Sequence, residues 1–87
     1  MNFDLTSTDW TQVTDLSNNK TYLLQSRSIA GNYCKEVPIF FIQNATIPTD
    51  NKTGVYISTI EFKNVNSLNV YIRGEKGLNI EILEVQQ

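Results

Sequence analysis

Leu68-Asn69-Val70-Tyr71-Ile72-Arg73, then Gly74-Glu75-Lys76-Gly77, then Leu78-Asn79-Ile80-Glu81-Ile82, decides how this chain folds. Apolar and polar residues alternate on both sides of a four-residue stretch bounded by glycines. Successive side chains of a β-strand point to opposite faces, so this period of two places Leu68, Val70 and Ile72 on one buried face and Leu78, Ile80 and Ile82 on another. The intervening Gly-Glu-Lys-Gly reads as a hairpin loop. Beyond Ile82 the phase slips, because Leu83 and Val85 are apolar and Glu84 is not, which predicts a bulge near 82–83.

Working back from this pair, the same habit recurs. Residues 55–62 alternate Val55, Ile57 and Thr59 with Tyr56, Ser58, Ile60 and Phe62, and residues 21–29 alternate Thr21, Leu23, Gln25, Arg27 and Ile29 with Tyr22, Leu24, Ser26 and Ser28. Residues 33–43 form a further run, interrupted by Pro38. A proline donates no ladder hydrogen bond, so it marks a sheet edge, a bulge or a break between two strands. Within that run Ile39-Phe40-Phe41-Ile42 is the most hydrophobic stretch, an aggregation hazard if exposed, and it is expected between two packed layers or beside a partner. Trp10, Val13 and Leu16, spaced by three, suit a short helical turn or an irregular strand. Ser17-Asn18-Asn19-Lys20 reads as a turn, since Asn tolerates left-handed backbone, and residues 44–54 are the longest loop candidate. Nowhere do apolar residues keep helical spacing over ten positions. The fold expected is all-β: a small antiparallel β-sandwich or jelly-roll-like barrel of six to seven short strands, with residues 1–9 as a polar N-terminal arm and residues 10–87 as the domain.

Eighty-seven residues fit one core, and a domain of this size buries roughly 60–65% of its unfolded surface, so association with other subunits would stabilise it. Lys and Arg number 7 against 9 Asp and Glu, for a net charge of −2, and the cations are dispersed. Phosphate binding needs a basic stripe, and membrane attachment a polybasic or amphipathic segment; neither nucleic acid nor membrane is an expected partner. The start of the chain lacks the basic and apolar regions of a signal peptide, which reads as synthesis in a cytoplasm without export by the common route. Asn19, Asn44 and Asn51 head Asn-x-Ser/Thr triplets, a chance consequence of an Asn-rich chain.

Chemistry is sparse. Histidine is absent, which removes the commonest general base and transition-metal ligand. The single cysteine, Cys34, has no base to form its thiolate. Glu61 and Glu81 are the best carboxylate pair, but both lie on the polar phase of their strands. Asp50-Asn51 between Thr49 and Thr53 supplies oxygens with only one carboxylate, and reads as a polar loop rather than a calcium loop. The expectation is a non-enzyme with no cofactor and no metal. The aromatic residues are the remaining candidates, because Tyr and Trp serve as core, interface anchors or sugar platforms.

One arrangement is familiar. Trp10-Thr11-Gln12-Val13-Thr14-Asp15-Leu16, then Thr21-Tyr22-Leu23-Leu24-Gln25-Ser26-Arg27-Ser28, a middle containing Pro38, a Gly before a strand and the closing residues 68–85 resemble the small β-sandwich structural proteins of tailed bacteriophage virions: capsid decoration proteins, head-fibre bases and tail components. In that group a Trp opens the domain, a Tyr-x-x-Gln strand follows (here Tyr22 to Gln25), and an aromatic-x-Arg strand (Tyr71 to Arg73) pairs with a Gly-bounded C-terminal hairpin. The usual Gly of the first turn is replaced by Asn18-Asn19. The resemblance implies a virion component, synthesised in the host cytoplasm, that binds capsid or tail subunits and assembles as a homo-oligomer, often a trimer. Phe3 and Leu5 would then fasten the arm to a neighbour, with Trp10, Tyr22, Tyr56 and Tyr71 as further interface residues. The alternative is a carbohydrate- or receptor-binding sandwich that uses its Tyr and Trp rings.

Overall fold

The computed structural model describes residues 1–50 and 53–86. It is all-β. Among the described residues there are nine strands: β1 Asn2–Asp4, β2 Thr11–Val13, β3 Thr21–Ala30, β4 Tyr33–Glu36, β5 Ile39–Asn44, β6 Val55–Ile57, β7 Thr59–Lys63, β8 Asn69–Arg73 and β9 Asn79–Glu84. All pairings are antiparallel. One sheet runs β1-β9-β3-β4 with β7 also on β3, and the other β2-β8-β5-β6. The shortest dimension is 18 Å, room for two sheets stacked about 10 Å apart and no third layer.

β3 organises the first sheet. Along one side it pairs with β9 from Tyr22 to Arg27; along the other, its first half pairs with β7 and its last four residues with β4. At the changeover, Ser26 N–H donates to the Ser58 carbonyl (2.8 Å) and Val37 N–H donates to the Ser26 carbonyl (3.1 Å). There the chain leaves for the second sheet through Val37-Pro38 and returns from it through Ser58. Pro38 therefore sits at a break between strands, where no ladder donor is required. The two long runs expected at 33–43 and 55–62 are each divided between the sheets, which with the extra strand β1 raises the number of elements above the six or seven expected.

The core lies between the sheets. Leu24, Ile80 and Ile82 meet Ile39, Val70 and Ile72 across it, each fully buried aliphatic side chain contributing about 1.5–3 kcal/mol. Phe41 of the second sheet packs against Phe62 of the first with ring centroids 5.0 Å apart, and Tyr22 stacks on Phe62 at 5.9 Å. The Tyr22 hydroxyl accepts a hydrogen bond from Ser17 N–H (2.8 Å), holding the turn expected at 17–20, in which Asn19 has φ 63°. Gly54 also has positive φ, and a β-carbon there would run into the Phe41 carbonyl, so no other residue fits.

Three expectations are corrected. β8 and β9 do not form a hairpin: β8 pairs with β2 and β5, β9 with β1 and β3. Each is interior to its own sheet, and residues 74–77 arch from one layer to the other, so that the two apolar faces oppose across the core instead of lying side by side. No bulge occurs at 82–83, where the register from Ile80 to Glu84 is unbroken and Leu83 simply points outward, half-exposed. Residues 1–9 are not a detached arm. Phe3 pairs with Ile80, Leu5 N–H donates to the Leu78 carbonyl, and the Met1 ammonium donates to the Ile82 carbonyl at 3.0 Å.

Ser26 is wholly enclosed and its Oγ has no hydrogen-bond partner among the described residues. A buried hydroxyl without a hydrogen bond carries a desolvation cost of about 1–3 kcal/mol. Ser26→Ala is expected to leave stability unchanged or raise it by up to about 1 kcal/mol, whereas Ile72→Ala is expected to lower it by about 2–5 kcal/mol. Chemical denaturation of both variants checks this, and a clear loss on Ser26→Ala would mean that the hydroxyl has a partner.

Candidate functional site

The six residues expected at an interface do not share a surface. Leu5 (2% exposed), Tyr22 (8%) and Tyr71 (5%) are buried, so the first two are core and none of the three is open to a partner. Leu5 is drawn in because its backbone is bonded on both sides, by its own N–H to Leu78 and by Gly77 N–H to its carbonyl. Tyr71 lies on the outer face of its sheet, but in an interior strand, opposite Gln12 on one side and Ile42 on the other. Its hydroxyl accepts a hydrogen bond from Asn69 Nδ2 at 3.2 Å. Phe3 is half-buried against the core. Trp10 is half-buried, its Nε1–H donating to the Asp50 carbonyl (2.9 Å), and it ties the segment before β2 to the 44–54 loop. Tyr56, 62% exposed, is the one candidate whose ring is largely open.

Tyr56 stands on the outer face of β6, opposite Phe40 of β5, with ring centroids 4.7 Å apart. Phe40 in turn lies opposite Arg73 of β8. Tyr56, Phe40 and Arg73 thus form one row across three strands. The row borders a concavity of about 230 Å³, walled on its apolar side by Val37 and Pro38 and on its polar side by Glu75 and Thr8. The hollow lies beside the strand crossing, lined by Val37 and Pro38 where the chain passes between the sheets and by half-buried Phe40. Phe40 and Pro38 were not among the expected interface residues. The signal for Phe40 was the run Ile39 to Ile42, since four consecutive apolar residues in a strand put two on each face.

A second hollow, of about 200 Å³, lies between residues 12–16 and 64–70. Its polar groups hold the turns that enclose it: Asn64 Nδ2 donates to the Ser17 carbonyl (3.0 Å), and Asn66 N–H donates to Asn18 Oδ1 (2.9 Å).

The outer face of the other sheet carries a polar network beside the paired Leu23 and Leu83. Asn79 is its hub: Nδ2 donates to Asn2 Oδ1 (2.8 Å) and Asp4 Oδ1 (3.0 Å), and Oδ1 accepts from Arg27 Nη2 (3.0 Å). Glu81 accepts from Asn2 Nδ2 (2.6 Å). Glu61 and Glu81 are opposite Leu23 and Gln25, on opposite sides of β3. Asp50 closes the 44–54 loop, its carboxylate accepting from Thr53 N–H at 2.8 Å; Asn51, the other expected oxygen donor there, lies outside the described residues. Among the described residues no three His, Cys, Asp or Glu gather as metal ligands, and no helix is long and apolar enough to cross a membrane.

Comparison with protein-family models, curated proteins and solved structures returned no match. Burial separates the two outer-face tyrosines of the second sheet. Tyr56→Ala is expected to change stability by less than about 0.5 kcal/mol, and Tyr71→Ala to cost about 3–5 kcal/mol. Thermal melts compare them directly, and equal losses would contradict this placement.

Proposed function

We propose that this chain is a non-enzymatic structural protein of a virion, a capsid decoration or head-fibre and tail accessory subunit that docks on other virion proteins through the Tyr56–Phe40–Arg73 row. The observation that carries the reading is the exposed Tyr56 ring packed on half-buried Phe40 beside a concavity, on a fold whose opposite face carries a polar network of its own. Aromatic and Arg side chains clustered at a hollow are the composition of interface hot spots. The likeness of residues 10–85 to small phage sandwiches supplies the virion setting. A homo-oligomer fits a chain of this size, whose own core is small.

The alternative reading, carbohydrate or receptor binding, rests on the same Tyr56 ring, which stands open for stacking with the polar Glu75 and Thr8 close by. The two readings separate on one pair of measurements. Purified virions of the encoding virus are expected to contain the protein in many copies and to re-bind it after stripping, with Tyr56→Ala weakening re-binding about tenfold or more. Failure to enter virions, alongside a hit on a glycan array abolished by Tyr56→Ala, would favour the sugar-binding reading instead.

A further inference from the structure

The hairpin of β3 and β4 projects beyond the sandwich. β9 reaches β3 only as far as Arg27, and every residue from Ser28 to Glu36 is exposed. Gly31, with φ 59°, is the first central residue of the two-residue loop joining Ala30 to Tyr33, where a II′ turn needs glycine. The projection carries Tyr33 at 76% exposure and Ile29 at 52%. An isolated two-stranded hairpin is marginal in water. Among the described residues no strand pairs with the outer edge of β4.

The direction of the backbone groups on that edge follows from the register. Val37 N–H donates to Ser26, and Tyr33 faces Ala30 across the two-residue turn, so Tyr33, Lys35 and Val37 turn their N–H and C=O toward β3. Cys34 and Glu36 turn theirs outward, because the pattern alternates along a strand. We propose that this edge pairs, antiparallel, with the same edge of a second copy, about a two-fold axis at Cys34.

The axis position is set by chemistry. Two-fold pairing of one edge with itself puts outward-facing residues opposite outward-facing residues with any of the four strand residues, Tyr33, Cys34, Lys35 or Glu36, on the axis; with Glu36 there, two carboxylates would face each other. With Lys35 on the axis two ammonium groups face each other, and like charges directly opposite destabilise a pair. With Tyr33 on the axis the four-residue strand is only partly used. With Cys34 on the axis, Cys34 exchanges both backbone hydrogen bonds with its copy. Each Lys35 then lies opposite Tyr33 of the second copy, ammonium over ring, on the closely spaced positions. Lys35 is the cation that would otherwise guard this edge, and this register turns it into a contact. The interface is isologous, so the assembly closes at two copies, in contrast to the trimer expected from the resemblance.

Light scattering across a concentration series in reducing buffer tests the proposal, with the expected mass rising from one chain to two. Cys34→Pro removes the outward N–H while sparing the bonds to β3, and is expected to weaken the dimer at least about tenfold. Tyr33→Lys, which places like charges opposite each other and touches nothing in the core, is expected to weaken it as well, and adding Lys35→Glu to that variant to restore it. Cysteines opposite each other in such a pair have Cα atoms about 5.5 Å apart, within disulfide range. Diamide, which takes up the two protons and two electrons, is therefore expected to link wild-type chains much faster than Tyr33→Cys chains in a Cys34→Ser background. A monomer at every concentration, a trimer, a Cys34→Pro protein that dimerises like wild type, or equal cross-linking rates would each overturn the proposal.

Discussion

The backbone of Ser26 is the point on which the two-layer arrangement depends. Its N–H donates to Ser58 and its carbonyl accepts from Val37, so one peptide position anchors both the strand leaving for the second sheet and the strand returning from it. β5 makes the crossing necessary. Ile39 and Phe41 need the core while Phe40 and Ile42 need cover on the other side, and an interior strand between β8 and β6 supplies both. The enclosed side chain at position 26 is small, and its unpaired hydroxyl is a local cost that the crossing tolerates.

Both surfaces with a proposed role flank that crossing. On one side the end of β3 runs past β9 and projects with β4 as a hairpin; on the other, Val37 and Pro38 line the hollow next to Phe40 and Tyr56. The far surface of the first sheet is of another kind. Asn79, Asn2, Asp4, Glu81 and Arg27 hydrogen-bond one another there, although Arg27 Nε has no partner among the described residues, and polar groups already bonded within the chain offer a partner little. Exposed apolar side chains stand at the Tyr56 corner and on the projecting hairpin, and also outside them, at Leu83 on the first sheet and at Ile47 in the 44–54 loop.

Much of this was legible in the sequence. Alternation identified β3, β8 and β9 and the core residues Val70, Ile72, Leu78, Ile80 and Ile82, though Leu68, expected beside them, is exposed before β8 begins. Of the three readings of Pro38, the break between strands is the one found. Long-range choices were not legible. The Gly74 to Gly77 loop is as compatible with a hairpin as with an arch between layers, and local pattern does not say which sheet a strand joins. Tyr56 and Tyr71 both occupy the outer phase of their strands, yet one is open and one covered. The difference comes from edge against interior position in the sheet, a property of strand order rather than of spacing. Leu5 looked like part of a free arm because its backbone partners, Gly77 and Leu78, are more than seventy residues away.

Amide hydrogen exchange on dilute protein tests the central claim most directly. The Ser26 and Val37 amides, bonded at the crossing, are predicted to exchange only through global unfolding, and the outward-facing Cys34 amide, three residues from Val37, to exchange freely. If Val37 exchanged as fast as Cys34, the crossing at Ser26 would not be the anchor of the fold.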